Sequence, residues 1–70
     1  MLVRAPMPGT ILSVSVKPGD SVKTGDILLV LESMKIKNEI TAPQGGAVKE
    51  VFVGEGQYVK RREQLVDIEE

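Results

Sequence analysis

The chain repeats itself, and nothing else constrains its fold as tightly. Residues 5–32 align with residues 42–69 at a constant offset of 37, without a gap. Ala5-Pro6 returns as Ala42-Pro43, Gly9 as Gly46, and Val14 and Val16 as Val51 and Val53. Gly19 returns as Gly56, Val22-Lys23 as Val59-Lys60, and Leu28 and Glu32 as Leu65 and Glu69. Similar apolar residues pair between these: Ile11 with Val48, Leu29 with Val66, Leu31 with Ile68. Two copies are too few for an open solenoid, in which three or more units must stack to cover one another. Within 70 residues they predict a single domain, residues 1–70, closed from two halves related by a pseudo-two-fold axis.

Each copy reads as short strands joined by turns. Residues 10–16 and 47–53 are rich in β-branched side chains, and 26–32 and 64–69 alternate as half-buried strands do. Lys17-Pro18-Gly19-Asp20 is a turn with a mechanism. Pro18 presets φ at the second position, and Gly19 accepts a positive φ at the third. Gly54-Glu55-Gly56 does the same work in the second copy. Ile11 and Val14 are three apart while Val14 and Val16 are two apart, and Val48, Val51 and Val53 repeat that spacing. A bulge just after Ile11 and Val48 brings all three side chains of each set to one face. Gly9, Gly19, Gly46 and Gly56 are read as turn or bulge glycines. Proline and glycine interrupt every window long enough for a helix. The expected architecture is all-β, a flattened barrel or sandwich.

Composition narrows the chemistry. There is no histidine and no cysteine, so the commonest acid–base, nucleophilic and metal-binding side chains are missing. Disulfides and metals, the usual staples of so small a domain, are excluded with them. The net charge is −1, both signs are interspersed, and Phe52 and Tyr58 are the only aromatics, which argues against nucleic acid as a partner. No apolar run has the length of a membrane span, and no secretory apolar segment opens the chain, so no membrane insertion is expected. Reactivity on this inventory has to be borrowed from a prosthetic group.

The segment outside the repeat is where to look for one. Residues 33–41, Ser-Met-Lys-Ile-Lys-Asn-Glu-Ile-Thr, join the two copies without a counterpart at either end. Strand-like apolar positions at Leu29, Leu31 and Ile40 flank the segment and predict a hairpin with its tip near Met34-Lys35. Asn-Gly or Asp-Gly is the usual tight-hairpin pair. A local rule broken at the symmetric midpoint of a duplicated domain marks a functional position. Met34 and Ile36 are costly to leave in water, and they bracket Lys35.

These residues resemble the biotinyl domain, the biotin carboxyl carrier module of biotin-dependent carboxylases and decarboxylases. The similarity runs from about Val3 to Ile68. Ala5-Pro6-Met7-Pro8-Gly9 matches the family's opening. Val16-Lys17-Pro18-Gly19-Asp20 with Val22 and Gly25-Asp26 matches its first turn region. Glu32-Ser33-Met34-Lys35-Ile36 followed by Asn38-Glu39-Ile40 matches its attachment hairpin, and Ala42-Pro43 with Gly46 and Val48 its second half. Ile36 replaces the family's usual second Met, and Lys37 stands where an acidic residue is common. The segment between strands is too short for the protruding thumb of some bacterial acetyl-CoA carboxylase carriers.

The resemblance implies covalent biotin on Lys35, with Met34, Ile36, Glu32 and Ser33 as recognition residues around it. Glu39 is weighed with Glu32 but leans towards an ordinary solvated edge. The implied partners are a biotin protein ligase, a biotin carboxylase, and a carboxyltransferase or decarboxylase of acyl-CoA, pyruvate or decarboxylase type. The chain itself is implied to be a non-catalytic carrier, cytoplasmic, or in the mitochondrial matrix if eukaryotic. A lysine amine in water is almost wholly protonated at neutral pH, so selective acylation depends on the ligase. Two alternatives stand beside this. A lipoyl carrier domain shares the duplicated halves and central lysine, but usually shows Asp before that lysine and Ala after it. An unmodified module of a membrane-fusion adaptor usually has a long helical insertion at the midpoint and no acceptor lysine.

Overall fold

A computed structural model describes all 70 residues. Its strands are β1 (Leu2–Arg4), β2 (Gly9–Val14), β3 (Ser21–Val22), β4 (Ile27–Ser33), β5 (Ile36–Thr41), β6 (Gly46–Val51), β7 (Tyr58–Val59) and β8 (Gln64–Glu69). They form two four-stranded antiparallel sheets, β1-β8-β6-β3 and β5-β4-β2-β7. Shifting β2, β3 and the start of β4 by 37 residues gives β6, β7 and the start of β8. The same shift carries β1 onto the last three residues of β5. The linking segment is therefore not wholly outside the repeat: Glu39-Ile40-Thr41 is the counterpart of Leu2-Val3-Arg4. The short strands are exchanged. β3 of the first copy pairs with β6 of the second, and β7 of the second with β2 of the first, so neither half completes a sheet alone.

The core follows the same symmetry. Its 15 buried apolar residues include seven equivalent pairs: Val3/Ile40, Ala5/Ala42, Ile11/Val48, Val22/Val59, Leu28/Leu65, Leu29/Val66 and Leu31/Ile68. Removal of such side chains from water is the main driving force open to a chain with no cross-link. The expected bulges are present. Ile11 faces Leu31 and Ser13 faces Val30, which leaves Leu12 as the extra residue. Lys49 is its equivalent, between Val48 opposite Ile68 and Glu50 opposite Asp67. The inward set is less complete than the spacing implied. Val14, Val16 and Val51 are only half-buried at the margin of the core, and Val53 alone of these four is buried.

Four turns share one construction. In Lys17–Asp20, Lys23–Asp26, Gly54–Gln57 and Lys60–Glu63 the fourth residue's N–H donates to the first residue's carbonyl, at 3.0–3.1 Å. The fourth side chain in turn accepts from the first N–H at 2.8–3.1 Å. The third residue has positive φ each time: Gly19, Gly25, Gly56 and, without glycine's freedom, Arg62 at 71°. Gly9 and Gly46 are not turn glycines. They open strands where a Cβ would overlap the carbonyl of Glu32 in one case and stand 2.5 Å from the carbonyl oxygen of Glu69 in the other.

The register also separates two poles along the 32 Å long axis. β4 runs up to Ser33 at one pole. Both ends of the chain meet at the other, where the amino terminus donates to the Ile68 carbonyl at 2.6 Å.

Candidate functional site

β4 and β5 are joined by two residues, Met34 and Lys35, and Ser33 opposite Ile36 closes the hairpin. Their φ values are 52° and 65°. Two positive φ angles in a two-residue loop make a type I′ turn, whose twist matches that of the strands it connects. The sequence supplies neither Gly nor Asn for it. Each L-residue with a Cβ held in this region costs about 1–2 kcal/mol, so the hairpin keeps Met-Lys against its own conformational preference. The rungs below, buried Leu29 opposite buried Ile40 and buried Leu31 opposite half-buried Asn38, hold the turn in place.

The apex is bare. Met34 is 91% exposed and Ile36 63%; Lys35 is exposed and makes none of the chain's side-chain hydrogen bonds or ion pairs. A primary amine with no competing partner, exposed at the apex of a two-residue hairpin turn, is suited to amide formation with an activated carboxyl group. Ser33 and Glu32 are half-buried just behind the tip. Glu32 faces Lys37 across the strands and Thr10 on its other side, so the lysine found where an acid was expected sits opposite a carboxylate. Glu39 faces Val30, further down the ribbon, and is not part of the tip.

Asn38 is the residue the sequence reading passed over except as part of a motif. It lies opposite buried Leu31, and its Nδ2 donates to the Ile36 carbonyl at 3.1 Å and the Leu31 carbonyl at 3.5 Å. One amide thus ties the two strands together directly behind the turn. Its signal was a polar residue at the alternate position from Ile40, where the inward face predicts an apolar one. The one surface depression of note, bordered by Ser15, Asp20, Val22 and Asp26, includes no residue of the hairpin tip.

Residues 2–68 match the family described as "Biotin-requiring enzyme". The mitochondrial methylcrotonoyl-CoA carboxylase subunit alpha of Rattus norvegicus is 50% identical over 66 residues, which are 94% of this chain and 9% of the relative. The biotin carboxyl carrier protein of Streptococcus mutans is 47% identical over 64 residues, 91% of this chain and 49% of its own length. Among solved structures, the lipoyl domain of the 2-oxoglutarate dehydrogenase complex from Azotobacter vinelandii superposes with a TM-score of 0.86 at 28% identity, covering 100% of this chain and 96% of that one. The chain therefore spans from a tenth to a half of the length of these curated relatives, and the fold alone does not separate a biotinyl from a lipoyl domain.

Proposed function

This chain belongs to the family of biotin-requiring enzymes, and on that premise we propose that Lys35 holds the biotin, through an amide between Nζ and the biotin carboxyl group. The chain is then a carrier with no active site of its own, like the carrier protein it resembles. In the attachment step the deprotonated Nζ attacks the carbonyl of an activated biotinyl-adenylate supplied by a biotin protein ligase. AMP leaves, and the amine gives up its second proton. Bound biotin supplies a ring nitrogen that accepts and surrenders a carboxyl group. The chain's contribution is position: the strained turn holds Nζ clear of the sheet, and Met34 and Ile36 offer apolar surface to a recess on the enzyme that receives the tip. Linking the ring to a rigid body by a long flexible arm raises its effective concentration at each site the arm can reach.

We further infer that those sites are a biotin carboxylase and a carboxyltransferase or decarboxylase, and that an acyl-CoA acceptor fits best, because the alpha subunit of an acyl-CoA carboxylase matches 94% of the chain. Pyruvate and decarboxylase types are the other members of the class. We propose a cytoplasmic location, or the mitochondrial matrix if the protein is eukaryotic.

The observation that carries the assignment is Lys35 at the apex of a type I′ turn, beside a methionine that is 91% exposed. Incubation with biotin, ATP and a biotin protein ligase, followed by intact mass and peptide mapping, tests it. One biotinyl group is expected, on the peptide containing Lys35, and none in Lys35→Arg, since arginine offers no acylable amine at accessible pH. Biotin on Lys17, Lys23, Lys37, Lys49 or Lys60 in that variant sinks the assignment. Modification by a lipoyl ligase alone would restore the lipoyl reading.

A further inference from the structure

The pseudo-two-fold axis is an internal control. Where the halves differ in chemistry although the backbone is the same, the difference is not needed for folding. Three such differences fall together. Arg4 stands where the other half has Thr41, Arg61 where it has Thr24, and Arg62 where it has Gly25. With Lys60 they make four cations on β1 and the β7–β8 turn. All four are exposed, and none takes part in the chain's three ion pairs.

Their placement follows from the register. Thr10 pairs with both Glu32 and Tyr58, and Gly9 pairs with Val59. Moving one residue onward along each neighbour brings β4 past Ser33 to Met34, and β7 past Val59 to Lys60. The turn Lys60–Glu63 therefore lies level with the hairpin tip, two strand spacings away, or about 10 Å. β1 delivers Arg4 to the same place: the Arg62 N–H donates to the Ala5 carbonyl at 2.7 Å, and Arg4 Nη1 donates to the Arg62 carbonyl at 3.0 Å. Arg62 is also held at φ 71°, where its counterpart is glycine. Backbone strain kept for a charged side chain, when glycine serves the same turn in the other half, points to a use for the charge. At the opposite pole, by contrast, the acids are paired: Asp67 with the amino terminus and Glu69 with Lys49.

We propose that Arg4, Lys60, Arg61 and Arg62 form a basic collar that docks the tip-bearing pole onto an acidic protein surface bordering an active site visited by the arm on Lys35. The inference rests on the carrier reading above. Any site deep enough to admit the arm brings its rim over the collar, since collar and tip share one pole. Unpaired exposed cations beside an incoming reactive group steer encounter and fix orientation more than they add affinity. The dependence on them therefore fades as salt screens them.

The test replaces the collar by the residues its own counterpart uses: Arg4→Thr, Arg61→Thr and Arg62→Gly together, with Arg61→Glu alone as a second variant that disturbs no hydrogen bond in the structure. Each protein is biotinylated, checked by mass, and offered as a free substrate to the biotin carboxylase and to the carboxyltransferase or decarboxylase of the same organism, from low to high ionic strength. Neutralising three steering charges is expected to lower kcat/KM about ten-fold at low ionic strength with at least one enzyme. The loss should lie mainly in KM and vanish near 0.5 M salt, by which point screening acts over a few ångströms. Arg61→Glu should shift in the same direction. Equal kcat/KM and equal salt dependence with both enzymes would overturn the proposal. So would a loss seen only with the ligase, which would assign the collar to modification instead. Failure of the parent protein to accept biotin at all would strike the carrier reading, a result distinct from either.

Discussion

Replacing Met34 by asparagine should move stability and modification in opposite directions. Met34 sits at φ 52° in the first position of the type I′ turn. A left-handed residue with an ordinary side chain costs about 1–2 kcal/mol, and asparagine, with its short polar side chain, visits that region far more readily. Since the methionine is 91% exposed, little buried apolar area is given up. Met34→Asn should therefore stabilise the unmodified chain by about 0.5–1 kcal/mol, which for a domain of this size raises Tm by roughly 2–8 °C. Adding Lys35→Gly relieves φ 65° at the second position, but part of that gain is lost to the greater freedom of glycine in the unfolded chain. The Asn-Gly hairpin should gain about 1–2 kcal/mol in total, by the same left-handed cost. Thermal and urea unfolding followed by far-ultraviolet circular dichroism measure it. If Met34 supplies the apolar contact proposed for it, the same Met34→Asn protein should also accept biotin more slowly. A lower Tm for Met34→Asn would refute the reasoning, since it would mean that Met34 packs against the fold or that the turn is not strained.

Three further outcomes follow from the geometry. Asn38→Ala removes donors to the Ile36 and Leu31 carbonyls and should cost about 1 kcal/mol, with faster hydrogen exchange confined to the β4–β5 hairpin. Gly9→Ala drives a Cβ into the Glu32 carbonyl; overpacking of this kind costs about 1–3 kcal/mol, and an unchanged urea midpoint would show that β2 yields freely there. Ile11→Ala, at a fully buried position, should cost about 2–5 kcal/mol, while Val14→Ala, half-buried at the margin of the core, should cost no more than about 1 kcal/mol. Equal losses would contradict the burial of the two.

The sequence disclosed what is local or periodic. The uneven spacing of Ile11, Val14 and Val16 encodes the bulge at Leu12, because one extra residue is the only way to keep a period of two on one face. Leu29, Leu31 and Ile40 located the hairpin tip to the residue. Long-range features stayed hidden. The exchange of β3 and β7 between halves is a pairing of two-residue strands with distant partners, and Ser21-Val22 carries no mark of its partner Gly46-Ala47. The kinship of β1 with the end of β5 rests on a single shared apolar position, Val3 with Ile40, too little to extend an alignment. Val16 and Val53 are identical residues at equivalent positions, yet only Val53 is buried. The collar is not legible in the sequence because Arg4 is 56 residues from Lys60; the pairing of β1 with β8 and the hydrogen bonds of Arg62 unite them.

The meeting of both chain ends at the pole away from Lys35 has a mechanical consequence. A linker spliced to either end leaves the apex unobstructed, and the β-sheets behave as a stiff jib whose hook hangs from the far end. The 32 Å length of the folded body is then added to the sweep of the lysine arm. Each residue removed from such a linker takes away at most about 3.5 Å of reach, whereas loosening the sheets would shorten the jib itself. On the proposed attachment at Lys35, the stiffness of a body that performs no chemistry would set how far apart the sites visited by the arm can stand.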